Sequence, residues 1–298
     1  MRSMRSAAVL LVLLSVGILP GQIPAPPTPA NGTSDMVWVC PMDKDIRSLI
    51  PGKCPRCGMK LANGVPDPAE YHLNLTISPR APKVRERTHL VFAVHDPWKD
   101  NVVTKFTVMH EKLFHLFIVS EDLEVFVHDH PVWKDDTFQY DFEFPKPGLY
   151  RILGDFYPEA ATPQLITKSI LVGGGTTPLN QLDRDYSTKD AENMKVELAT
   201  IPAEPVAGQT IQLRFQVSPT EGFEKYLGAW GHMLAASDDL IDMMHTHPLV
   251  ADGGAYVQFN VIFPRAKMHR VWVQFQRNGV VNTVHFDIPV KETASSLP

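Results

Sequence analysis

At 298 residues, with a formal net charge of -5 and 44% apolar side chains, the chain has material for about two packed domains, which argues against disorder over most of its length. Only 20% of its residues are charged and no long Lys/Arg cluster occurs, so nucleic acid and an anionic membrane surface are poor partners. The composition sets 3 cysteines against 12 histidines, and that imbalance needs an explanation.

Arg2 and Arg5 precede an apolar run from Ala7 to Leu14 that continues to Leu19 and meets Pro20 and Gly21. The run is shorter than the roughly 20 residues of a spanning helix, and its order of basic flank, apolar middle and helix breaker is that of a secretory signal peptide. Residues 1–21 are read as that signal, with an uncleaved anchor as the alternative, and the protein as periplasmic or secreted. No later segment reads as a membrane span. Residues 22–35, rich in Pro, Ala and Gly, form a linker that buries nothing.

Residues 36–64 hold every cysteine. In Cys54-Pro55-Arg56-Cys57-Gly58, the proline and glycine allow a tight turn that aims two sulfurs at one centre, and Cys40 supplies a third across a short loop. Neighbouring thiolates favour a soft or borderline ion, and a module of this size has almost no core without one. One disulfide plus one thiol is the competing reading. The segment WVCPMDKDIRSLIPGKCPRCGMKLA resembles the heavy-metal-binding domain found beside copper, silver and zinc efflux proteins. That family reads Tyr-x-Cys-Pro-Met-His-Pro and then Pro-Gly-x-Cys-Pro-x-Cys-Gly-Met. Asp43 stands where the family has His, so the resemblance implies that an Asp43 oxygen replaces that ligand, which suits zinc better than Cu⁺. Met42 and Met59 are candidate thioether partners for a softer ion.

From Tyr71 onward, short alternating runs such as Ile211 to Val217 are separated by Pro, Gly and Asp turns, the pattern of β-sandwiches. A repeat underlies them. His115…His128-Asp-His130-Pro aligns with His232…His245-Thr-His247-Pro without a gap, at an offset of 117 residues. The offset becomes 119 from Phe144-Pro145 and Phe263-Pro264 through Arg151 and Arg270. The chain therefore reads as mainly β, with sandwich repeats at 68–173 and 194–292, a linker at 174–193 and a tail at 293–298.

Residues i and i+2 on a strand share a face, about 6.5–7 Å apart, so His128 and His130 point one way, as do His245 and His247. A hairpin turning near Ser120 to Asp122 brings His115 beside the first pair, and the same geometry brings His232 beside the second. Each copy thus offers a three-imidazole cup for copper or zinc. His110 is an extra candidate in the first copy, though its counterpart is Leu227. Met243 shares the face of His245 and His247 and would bias that cup toward Cu⁺. The competing reading is a duplicated structural corner whose histidines are satisfied by hydrogen bonds. Met233 and Met268 read as packing, Asp122 and Asp239 as turn residues, and His72, His89, His95, His269 and His285 as structural or surface residues.

The duplicated segments also resemble exported bacterial proteins with the pattern His-Leu-x-x-x-Ser-x-Asp-Leu…His-x-His-Pro, which implies immunoglobulin-like or cupredoxin-like sandwiches. Neither sandwich contains a cysteine, so a blue-copper site cannot form. The leading functional reading is an exported, non-enzymatic protein of metal homeostasis that captures, buffers or delivers copper or zinc, with an efflux or metal-receiving envelope protein as partner. No catalytic residue is assigned. The alternatives are an enzyme with a histidine-ligated centre and a structural docking module with a stabilising metal.

Overall fold

The computed structural model describes residues 37–41, 46–64, 69–98, 101–175, 178 and 181–293. The stretches read as signal peptide and linker, together with Met42 and Asp43 of the knuckle, lie outside the described residues. No helix occurs among those described, so none is long and apolar enough to cross a membrane. All pairings between named strands are antiparallel.

The knuckle is a small sheet in which β1 (Val37–Val39) lies between β2 (Arg47–Ser48) and β3 (Ala62–Gly64). The first sandwich comprises β4 (His72–Ser78), β5 (Arg87–His95), β6 (Phe114–Ser120), β7 (Phe126–Asp129), β8 (Val132–Lys134), β9 (Thr137–Glu143), β10 (Gly148–Phe156) and β11 (Gln164–Val172). Its two sheets have the orders β4-β5-β9-β8 and β11-β10-β6-β7. The second comprises β12 (Lys189–Asp190), β13 (Lys195–Ile201), β14 (Thr210–Ser218), β15 (Phe223–Glu224), β16 (His232–Ser237), β17 (Met243–Thr246), β18 (Tyr256–Ile262), β19 (Met268–Arg277) and β20 (Val280–Pro289). Its sheets run β12-β13-β14-β18 and β20-β19-β16-β17, with β15 along β19. The sheet order β20-β19-β16-β17 repeats β11-β10-β6-β7, the topology expected of a duplicated domain. Part of the stretch read as a linker is built into the second copy, where β12 pairs with β13 and Asp185 bridges Asp287.

The outer strands show why the sequence folds this way. In β14 the residues alternate, with Ile211, Leu213, Phe215 and Val217 in the sandwich core and polar neighbours facing water. Strands β6 and β16 are different, because every residue in both is buried. On β6, Leu116 and Ile118 enter the core of the first sandwich, while Phe117 and Val119 enter a separate apolar cluster. On β16, Met233 and Ala235 likewise face the second core, and Leu234 and Ala236 join that same separate cluster. Leu153 of β10 and Trp272 of β19 belong to it as well, with the Phe126 and Trp272 rings stacked at a centroid distance of 4.9 Å. The inner sheets of the two repeats thus pack face to face across an apolar seam.

Candidate metal centres

The knuckle turn forms as its residues dictate. Gly58 takes a left-handed φ of 75°, its N–H donates to the Cys54 carbonyl at 2.9 Å, and the Cys54 N–H donates to the Met59 carbonyl at 2.8 Å. Ligand sulfurs of Cys40, Cys54 and Cys57 lie within 4.8 Å of one another, with Cys40 and Cys57 at 3.5 Å. That spacing is far from the roughly 2.05 Å of a disulfide and close to the roughly 3.8 Å between thiolates sharing a tetrahedral ion at 2.3 Å. The backbone N–H of Cys57 points at the Cys54 sulfur at 3.4 Å, a contact that stabilises thiolate charge. Met59 is 41% exposed.

The histidines collect on the seam. His115 alternates with Leu116 on β6 and His232 with Met233 on β16, so both rings lie on the seam face of their strands. His128 and His130 come from β7 and its end, and His245 and His247 from β17 and its end. The structure keeps His115, His128 and His130 together as one group and divides the second trio, with His232 and His247 joined by His110 and His245 set beside His128 and His232. The cluster holds three groups, in each of which the ligand nitrogens lie within 4.8 Å of one another: His115/His128/His130, His110/His232/His247 and, sharing a residue with each of these, His128/His232/His245. The correction has a physical source, since the sheets that carry the trios face each other and bring the His115 and His232 rings to 6.0 Å.

Hydrogen bonds fix which nitrogen of each ring faces inward. His115 Nε2–H donates to the Met109 carbonyl at 3.1 Å, and at the equivalent place His232 Nε2–H donates to the Tyr226 carbonyl at 2.9 Å. The next pair is held from the opposite repeat. His128 Nδ1–H donates to Gln274 Oε1 at 2.6 Å, and His245 Nδ1–H donates to Asp155 Oδ2 at 2.5 Å. Gln274 is oriented by its own donation to Thr283 at 3.0 Å. Four lone pairs, on His115 Nδ1, His128 Nε2, His232 Nδ1 and His245 Nε2, are therefore turned into the cluster.

The inward distances suit an ion. His115 Nδ1 is 3.1 Å from His128 Nε2 and 3.2 Å from His130 Nε2, and His232 Nδ1 is 3.0 Å from His247 Nε2. Nitrogens bound at about 2.0–2.1 Å to one tetrahedral ion stand about 3.3 Å apart. Because the outward nitrogens of His115 and His128 carry the protons, their inward contact sets lone pair against lone pair, an arrangement that a cation relieves. His245 Nε2 is buried without a hydrogen-bond partner, on a side chain only 1% exposed. The donor set therefore fits a borderline metal ion.

Burial favours the neutral form, the one that binds metal, in six of the clustered imidazoles. It lowers His115 and His130 to about 4 and His232 to about 3, and it depresses His128, His247 and His110 as well. His110 stacks on His247 with centroids 3.6 Å apart, so it serves the second repeat's histidines rather than those of its own. Met243 packs in the apolar seam cluster. Sequence reading missed Asp155 and Gln274, although the 119-residue offset relates them and pairs Asp155 with His115 and Gln274 with His232 in register.

Comparison with known proteins matches residues 37–63 to the heavy metal binding domain, and residues 67–167 and 189–292 to a domain of unknown function, DUF8832. No curated protein matches the chain. Among solved structures, Salmonella alpha-2-macroglobulin is 11% identical, with a TM-score of 0.26 over 74% of this chain and 15% of its own. The Escherichia coli adhesin FdeC is 14% identical, with a TM-score of 0.25 over 78% of this chain and 69% of its own. The chain thus spans well under two thirds of the first of these.

Proposed function

The chain belongs to the family of the domain of unknown function DUF8832, in two copies behind a heavy-metal-binding module, and we propose that it is an exported protein that captures and holds copper or zinc. The observation that carries this reading is the convergence of pinned imidazole lone pairs in the seam, one of them buried and unpartnered. A structural corner would spend its ring nitrogens on hydrogen bonds; this one turns them toward each other. The knuckle supplies thiolates for capture, the seam supplies neutral imidazoles for holding, and an envelope partner of an efflux system would receive the metal. The role is binding, without turnover.

The three thiolates and the histidine centre differ in softness, so they divide the metals between them: Cu⁺ favours the thiolates, while Zn²⁺ and Cu²⁺ suit the imidazoles. Elemental analysis of the purified full chain, reconstituted anaerobically, tests the reading. Metal is expected in both places, with the thiolate-bound ion lost in Cys54→Ser/Cys57→Ser and the histidine-bound metal content lowered in His128→Ala/His130→Ala. A metal-free protein after reconstitution overturns the proposal. Unchanged stoichiometry in the histidine variant would return the cluster to structure.

A further inference from the structure

The duplicated sequence offers three histidines per copy, a pattern that would give two equal sites. The seam departs from that symmetry. One group of close nitrogens is His115/His128/His130, all from the first repeat. The other that shares no residue with it is His110/His232/His247, in which a loop histidine of the first repeat joins two of the second. His110 occupies a left-handed turn with φ of 45°, and its counterpart Leu227, with φ of 48°, repeats the turn without an imidazole.

His110 thus takes a place that duplication would have given to His245. The displaced ring sits between the two groups, its ligand nitrogen within 4.8 Å of those of both His128 and His232. Its Nδ1–H is committed to Asp155, and it therefore has one lone pair to give.

We propose that the seam is a two-ion centre with seven imidazole ligands, in which His245 is the contested seventh, held by Asp155. Each ion has three ligands of its own. The first borderline divalent ion to enter also takes His245 and is bound by four, while the second is left with three and an open position. Uptake is then a tight step followed by a weaker one. The second ion is the exchangeable one, because an open coordination position admits a competing ligand from a partner. Asp155 is a positioning residue: its carboxylate fixes the tautomer of His245 and strengthens it as a donor, where the equivalent contact of His128 is to the neutral amide of Gln274.

This inference rests on the metal-binding reading above, and Co²⁺ titration of the full chain separates the two. Thiolate-to-cobalt charge-transfer bands report the knuckle, and the visible ligand-field bands that persist in Cys54→Ser/Cys57→Ser report the imidazoles. The wild-type chain should take two imidazole-bound ions in resolved steps. In His245→Ala both ions should remain, with the first step weakened about 10- to 100-fold toward the second. Asp155→Asn, nearly isosteric, should weaken the first step in the same direction and alter its ligand-field band, while Asp155→Glu restores part of the loss. Thermal melting of the metal-free variants checks that each one folds. Repulsion between two dications would also separate the steps, but that separation would survive loss of His245. One imidazole-bound ion per chain overturns the two-ion assignment, and a step separation unchanged in both variants overturns the role given to His245; either result leaves the metal-binding reading in place. Absence of any imidazole-bound ion removes both.

Discussion

Arg270 and its repeat counterpart Arg151 occupy matched strand positions and do different work. Arg151, in register with Ser169, donates to the hydroxyls of Ser169 and Thr167 at 2.8 and 2.7 Å. Arg270, in register with Asp287, forms a two-pronged pair with its carboxylate, both bonds 2.8 Å, and also reaches the Leu123 carbonyl and Glu124 of the other repeat. The side chains of Arg270 and Asp287 are each only 7% exposed. Arg270→Ala would leave the Asp287 charge buried and unpaired, at a cost of about 3–5 kcal/mol in urea denaturation. Arg270→Met/Asp287→Leu should recover most of that loss; failure to do so would mean that the bonds to Leu123 and Glu124 dominate. The repeat alignment marks both arginines, but it cannot distinguish their roles, because the partner at the next strand has changed from Ser to Asp. Asp155 and Gln274 pose the same problem. Each holds a histidine of the opposite repeat, a contact made by packing and invisible in the spacing along one chain.

The strands differ in how plainly their sequence announces them. Strands β13 and β14 alternate, and their period of two assigns the buried face directly. Strands β6 and β16 lack that alternation, because one face fills a sandwich and the other fills the seam. His115-Leu-Phe-Ile-Val119 therefore reads as a strand without a wet side, and what covers its second face is a matter of tertiary packing. The spacing along one chain hides the place of His110 for a related reason: it sits on a turn rather than a strand, and its partners belong to the other copy. The seam itself can be tested at Trp272, which is 3% exposed and stacks on Phe126 across it. Trp272→Ala should cost about 3–5 kcal/mol. If the repeats are one cooperative unit, amide exchange should quicken in β6 and β7 as well as in β16 and β19. Loss of protection confined to the second repeat would show that the seam couples them little.

At the scale of the whole molecule, gathering the histidines of both copies into one buried seam makes folding depend on proton concentration. An exposed imidazole in the unfolded chain titrates near 6.5, whereas burial lowers His115 and His130 to about 4 and His232 to about 3. Groups whose folded pKa lies below the unfolded value leave the unfolded chain holding more protons between the two. Their contribution to stability is complete above about 6.5 and is lost as pH falls through the interval below it. Each such imidazole contributes a slope of roughly 1.4 kcal/mol per pH unit, so the group should give a steeper fall than any one histidine. Paired carboxylates such as Asp185, held near 2 by Lys189 and Ser187, add to the loss only as pH approaches their unfolded range near 4. The window from about 6.5 to 4.5 therefore reads the histidines. Urea denaturation of the metal-stripped full chain should show nearly constant stability above pH 7 and a decline of more than one proton per molecule across that window. Saturating Zn²⁺ should hold the imidazoles against protons and move the decline to lower pH, in proportion to the logarithm of free metal. A flat profile between pH 6.5 and 4.5 without metal would mean that the seam is open to water, and the neutral, preorganised imidazoles on which tight binding depends would be lost with it.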